Sequence, residues 1–272
     1  PSQAHSYTYD LVPPAVDWLI KNNPPAPRDL NKFNDTKKAL DETARLIFLK
    51  PDAARQNLIK NDTEYTDTSK KFLYNNKIVI TGATNGIGYY VAKMVNRHQP
   101  FLVICGKKKK KVLKVVDELK SENPNVYGIY VDLSKKNGPI KLFEEIYKKV
   151  NTVDILINNA VINRGSRFLM SKKDNDWQEE LSVNVNANIL LSQKIAYKMK
   201  NRNIKGRIIN LSSDASKMNN TDTNSGSDIL MKSMIEKYSK LLSEELYKHK
   251  IAVTTIRIDE NINTNNNSSS VI

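Results

Sequence analysis

Gly82, Gly86 and Gly88, in the run Thr81-Gly82-Ala83-Thr84-Asn85-Gly86-Ile87-Gly88, have the type and spacing to hold a phosphate against main-chain amides. Gly82 permits a tight turn, Gly86 lets the backbone come close to a pyrophosphate, and Gly88 lets a following helix lie near the preceding strand. The spacing carries meaning where a strand ends before it and a helix opens within it, because free amides at the helix start then face the anion. A second feature is the segment Asp228-Ile229-Leu230-Met231-Lys232, an acid and a base one helical turn apart. Its plain reading is an i,i+4 ion pair worth about 0.3–0.5 kcal/mol. A third is the lysine run Lys107 to Lys111. Cations at a helix start oppose the helix dipole and cost roughly a few tenths of a kcal/mol each, which a bound phosphate would offset. The alternative is a solvated run in a lysine-rich chain. The single cysteine, Cys105, allows no internal disulfide and no cysteine-based metal cluster, and no metal site is expected.

The elements that would position these residues alternate along the chain. Short β-branched runs fall at Lys77 to Thr81, Phe101 to Cys105, Val126 to Val131, Asp154 to Asn158, Arg207 to Leu211 and Ile251 to Ile258. Helical patterns lie between them, at Gly86 to His98, Lys109 to Ser121, Ile140 to Val150, Ala187 to Asn201 and Asp228 to His249. Parallel strands need crossovers, and this alternation predicts an α/β fold, a Rossmann-type doubly wound parallel sheet of about six strands in the order 3-2-1-4-5-6. Residues 71–260 would be the dinucleotide-binding domain. Residues 1–70 read as a mostly helical or irregular extension, with Pro13-Pro14 and Pro24-Pro25-Ala26-Pro27, a helical pattern from Asp35 to Lys50 and a second short helix from Asp52 to Lys60. Residues 261–272 read as a low-complexity tail.

With strand, glycines and helix in that order, the loop resembles that of the short-chain dehydrogenase/reductase family, and more of the family's motifs follow in order. Val131-Asp132-Leu133 is similar to the segment that lies beside the adenine. Asn158-Asn159-Ala160 is similar to the Asn-Asn-Ala-Gly motif after the fourth strand, with Val161 in place of the glycine. Asn184 matches the helix asparagine of the family's proton relay, and Ser213 matches the catalytic serine. The resemblance covers nearly 190 residues. It implies cofactor contacts from Thr81, Gly82, Asn85, Gly86, Ile87, Gly88, Lys107, Asp132, Asn158, Ala160 and Lys232.

The second strand ends Val103-Ile104-Cys105-Gly106-Lys107, with no carboxylate to bond the ribose 2′-hydroxyl of NAD. Lys107 to Lys111 would instead suit a 2′-phosphate, so NADP(H) is expected over NAD(H). Occupancy by no cofactor at all stays open, since the strand-to-helix turn needs its glycines for its own sake.

The family's relay needs a tyrosine four residues before its lysine, and aligning on Lys232 puts Asp228 there. Aspartate, with a reference pKa of about 3.9, has no proton to donate at neutral pH, and it is shorter than tyrosine. The only Tyr-xxx-Lys spacing in the chain, Tyr89 to Lys93, falls on the helix after the phosphate loop. After Ile258 the family's usual Pro-Gly, lid and seventh strand are not legible. The expectation is therefore a degenerate family member with a remnant relay of Asn184, Ser213 and Lys232, acting as an accessory subunit that meets protein partners through residues 1–70. An active NADP(H)-dependent oxidoreductase with a modified relay is the alternative.

The whole chain is basic, with a formal net charge of +14 over 272 residues. Such a balance raises RNA or ribosome association, but lysine and asparagine are spread everywhere rather than gathered in a stripe, so nucleic acid is the lesser partner. No run of 18 apolar residues is present to span a membrane. The chain begins at Pro1, and its basic balance favours a mitochondrial or other organelle matrix over the cytoplasm.

Overall fold

A computed structural model describes residues 73–164, 169–213 and 226–258. The helices expected in residues 1–70, the segment after Ile258 and the tail at 261–272 lie outside the described residues.

The elements run β1 (Lys77–Ile80), α1 (Gly86–Asn96), β2 (Phe101–Gly106), α2 (Lys109–Lys120), β3 (Val126–Tyr130) and α3 (Gly138–Lys149). They continue with β4 (Ile155–Asn158), α4 (Asp174–Glu180), a π-helical segment (Leu181–Ala187) and α5 (Asn188–Asn201). The last three are β5 (Arg207–Ser213), α6 (Gly226–Leu246) and β6 (Ala252–Ile258). The strands form one sheet in the order β3-β2-β1-β4-β5-β6, as the alternation predicts. Every pairing is parallel, with Val79 opposite Val103 on one side and Leu156 on the other.

Successive strand residues point to opposite faces, and both faces of this sheet are apolar. Ile78, Ile80, Leu102, Ile104 and Ile157 pack with Val91, Val95, Val112 and Leu119 on the side of α1 and α2. Val79, Val103, Leu156 and Ile208 pack with Leu142, Ile146, Leu191, Ile195 and Leu246 on the side of α3, α5 and α6. Each such side chain, fully buried, contributes about 1.5–3 kcal/mol. The order reverses at β1, where the chain passes to β2 on one side and, later, β4 on the other. That reversal opens a crevice at the carboxyl ends of the strands, where ligands bind in open α/β sheets.

Besides a single 3-10 turn at Leu169–Ser171, two helical pieces are not expected from the sequence. The segment Asp174–Glu180 is polar apart from Trp177 and shows no apolar stripe. The π-helical turns that follow carry Asn184 and admit an extra residue per turn, a feature frequent at functional sites. Strand and helix ends otherwise agree with the expected bounds to within two or three residues.

Candidate functional site

The loop between β1 and α1 is shaped by contacts with the end of β4. The Thr81 hydroxyl accepts hydrogen bonds from the amides of Asn159 (2.9 Å) and Ala160 (3.0 Å). Asn159 Nδ2 donates to the carbonyls of Thr81 (2.9 Å) and Gly82 (3.1 Å). Gly82, at φ +66°, would place a Cβ 2.8 Å from Ala160 Cα, and Gly88 would place one 2.2 Å from Asn159 Nδ2. These glycines are required by the protein's own packing. Gly86 is different: its φ is +54°, and a Cβ there would meet nothing within 4 Å. The space above it is open. Asn85, the residue before α1, makes no side-chain cap, so the first amides of the helix face that opening without a side-chain acceptor from it. This cradle fits a pyrophosphate.

Thr81 and Asn158 lie below this surface. Thr81 is 2% exposed and Asn158 is 3% exposed. Asn158 Nδ2 donates to Ser192 Oγ (2.9 Å) and Asn210 Oδ1 (2.8 Å), and Asn210 in turn donates to Ser239 Oγ (2.7 Å). This network ties β4, β5, α5 and α6 together beneath the site. Asn85, Gly86, Ile87, Asp132 and Ala160 remain at least partly exposed around the crevice.

Lys107 sits at the exit of β2 and pairs with Asp132 Oδ2 (3.1 Å) and with Glu179 Oε1 (3.5 Å). Burial works against ionisation of Asp132, but hydrogen bonds from Ser134 and Lys107 outweigh it and hold the carboxyl below its ordinary range.

Of Asn184, Ser213 and Lys232, the structure brings the last two into direct contact. Lys232 Nζ donates to Ser213 Oγ at 2.6 Å and pairs with Asp228 Oδ2 at 2.7 Å. Ser213 and Asp228 are buried and Lys232 is 19% exposed at its side chain, so this is no solvated surface pair. Asn184 holds both polar groups of Ile162: its Nδ2 donates to the Ile162 carbonyl (2.8 Å) and its Oδ1 accepts from the Ile162 amide (2.9 Å). It fixes the segment that leaves β4 beside the crevice. Tyr89 and Lys93, by contrast, both bond Glu118 on α2, away from this site.

Several residues of the site escape a reading of the sequence. The Glu180 carboxylate is buried and binds Lys172 Nζ (2.6 Å), Ser227 Oγ (2.8 Å) and the amide of Arg164. It thereby joins the segment after β4, the segment before α4 and the first turn of α6, one residue ahead of Asp228. Glu236 takes a two-pronged bond from Arg257 (2.9 and 2.7 Å) and one from Ser212 (2.9 Å), locking α6 to the ends of β5 and β6. A lone glutamate on a helix carries no sequence signal of such a partner. Among the described residues no group of three metal-ligating side chains is present, and no helix is long and apolar enough to cross a membrane.

The family model for short chain dehydrogenase matches residues 76–269. A 3-oxoacyl-[acyl-carrier-protein] reductase FabG from Aquifex aeolicus is 35% identical over 137 residues, which are 50% of this chain and 54% of that protein. The human "Dehydrogenase/reductase SDR family member 2, mitochondrial" is 32% identical over 147 residues, 54% of this chain and 51% of that protein. The chain thus spans about half the length of the curated relatives it matches. Among solved structures, a metagenomic short-chain oxidoreductase in complex with NADP has a TM-score of 0.64 at 25% identity, covering 68% of this chain and 81% of its own.

Proposed function

The chain belongs to the short-chain dehydrogenase family, and on that premise we propose that it is an NADP(H)-dependent oxidoreductase acting on a carbonyl or hydroxyl group through a modified proton relay. The observation that carries this reading is the continuous bond path from Asp228 through Lys232 to Ser213. Support for the cofactor comes from the open cradle at Gly86, from Lys107 where an NAD-selecting acid would stand, and from the NADP-bound neighbour.

The amides from Gly82 to Gly88 would hold the pyrophosphate, and Lys107 the 2′-phosphate. Bound NADPH supplies the hydride. Ser213 orients the substrate carbonyl by donating a hydrogen bond to its oxygen. As that oxygen gains negative charge, the Ser213 hydroxyl proton passes to it, and Lys232 returns a proton to Ser213 along the 2.6 Å bond. Asp228 balances the ammonium charge and keeps Nζ aimed at the serine. Lys232, partly exposed, is restored by water. In this scheme Asp228 gives up no proton, so its lack of one does not interrupt the path.

A second reading, a nucleotide-binding accessory subunit without turnover, is favoured by one observation. Asp228, at the position where the resemblance places the tyrosine acid, is held by Lys232. Turnover separates the two. Purified full-length protein with NADPH and a panel of activated carbonyls is expected to consume NADPH, and Ser213→Ala to lower kcat by about 10²–10⁴-fold with the fold intact by circular dichroism. Binding of NADPH with no consumption above background would establish the second reading instead.

A further inference from the structure

Lys107 is not the only cation at the nucleotide end of the crevice. Arg164, in the segment that follows β4, donates from Nε (3.0 Å) and Nη2 (2.7 Å) to Oε2 of Glu179, whose Oε1 lies 3.5 Å from Lys107 Nζ. One carboxylate therefore stands between the two cations. Asp132 completes the group at 3.1 Å from Lys107. Two positive and two negative side chains thus meet at the exit of β2.

The two acids are held differently. Asp132 Oδ1 accepts from the amide (3.0 Å) and hydroxyl (2.6 Å) of Ser134, which fixes it in the turn after β3. Among the described residues the Glu179 carboxylate is held by two flexible side chains, and its own side chain is 28% exposed. A phosphate monoester carries about −1.5 to −2 charge at pH 7 and prefers a forked guanidinium partner beside a lysine. Brought to Lys107 in the present arrangement, it would meet the Glu179 carboxylate directly. Withdrawal of Glu179 would release Arg164 and leave Lys107 with Asp132 as its one remaining acid partner among the described residues.

We propose that Glu179 sets the nucleotide selectivity of this site by masking Lys107 and Arg164, the two cations that the ribose 2′-phosphate takes over when NADP(H) enters. The inference rests on the reading above that the chain binds NADP(H). Glu179 acts by competition, not by contact with the reacting atoms, and it lowers the affinity for the phosphorylated nucleotide while leaving NADH nearly untouched. Arg164 is then a specificity residue whose contribution is visible only once Glu179 is displaced.

Calorimetric titration of the full chain and its variants with NADPH and NADH tests this. Glu179→Gln is expected to tighten NADPH about fivefold, the scale of one partly exposed charge pair, and to change NADH by less than about twofold. Arg164→Gln combined with Glu179→Gln is expected to lose most of that gain, because the freed guanidinium is gone. Unchanged NADPH affinity in Glu179→Gln, an equal change for both nucleotides, or a gain that survives in the double variant would each overturn the proposal. Wild-type protein that binds neither nucleotide would instead remove the reading of the site on which it rests, and this inference with it.

Discussion

Replacing Glu180 with leucine is expected to lower stability by about 3–5 kcal/mol, because it strands the buried Lys172 ammonium without its partner. The side chains of this pair are 3% and 2% exposed, and Glu180 also receives Ser227 and the Arg164 amide. Such a loss is a large share of the roughly 5–15 kcal/mol by which a domain is stable. Lys172→Met should cost a similar amount, since it leaves the carboxylate uncompensated. The combined Lys172→Met and Glu180→Leu protein should regain much of the loss, because a buried pair exchanged for apolar side chains of similar volume is often close to neutral. Urea denaturation of the three variants checks this. Single variants within about 1 kcal/mol of wild type would show that the pair is solvated in solution. A double variant no better than the singles would show that the hydrogen bonds of Ser227 and Arg164, not the charges, hold the segments together.

The second large effect concerns the loop. Saturating NADPH, at about 100 times its dissociation constant, should stabilise the wild-type protein by about 2.7 kcal/mol, or roughly 5–10 °C in Tm for a domain of this size. Gly86→Ala should abolish that shift. Its backbone cost is about 1–2 kcal/mol, for the left-handed conformation at φ +54°. The new methyl group would meet nothing within 4 Å beyond its own helix and chain neighbours, so it would intrude on the open space where a bound phosphate would lie. Gly88→Ala is the contrast. Its Cβ would lie 2.2 Å from Asn159 Nδ2 and 2.7 Å from the Gly82 carbonyl oxygen, so it should destabilise the protein with or without nucleotide. A Gly86→Ala protein that keeps the full shift would place the nucleotide elsewhere.

The sheet was readable from the chain because its signals are local. Ile78, Val79 and Ile80 are apolar on both faces of a strand, and only a strand covered on both sides reads that way. The glycines at 82, 86 and 88 announce a turn and a close approach, although the sequence does not separate Gly86, open above, from Gly88, packed against Asn159. The lysine run at 107–111 was legible as a charge anomaly. Its partners were not, since Asp132 and Glu179 reach Lys107 only after α4 and the turn beyond β3 are folded into place. The segment Asp174–Glu180 shows no apolar stripe, and so left no trace as a helix. Glu180 was illegible for the same reason that it matters. Nothing within its own helix reveals that Lys172, Ser227 and Arg164 converge on it.

Asp228 marks the limit of motif reading in a different way. By sequence it is an acid where a tyrosine would serve, and an i,i+4 partner of Lys232. In the fold that pair is largely buried, and its lysine also reaches Ser213. In the proposed scheme Lys232, not Asp228, is the proton donor behind the serine.

The most direct measurement is calorimetric titration of the full-length chain with NADPH and with NADH at one ionic strength. One-to-one binding of both, tighter for NADPH, is the expected result. No heat with either nucleotide, or tighter binding of NADH, would contradict it.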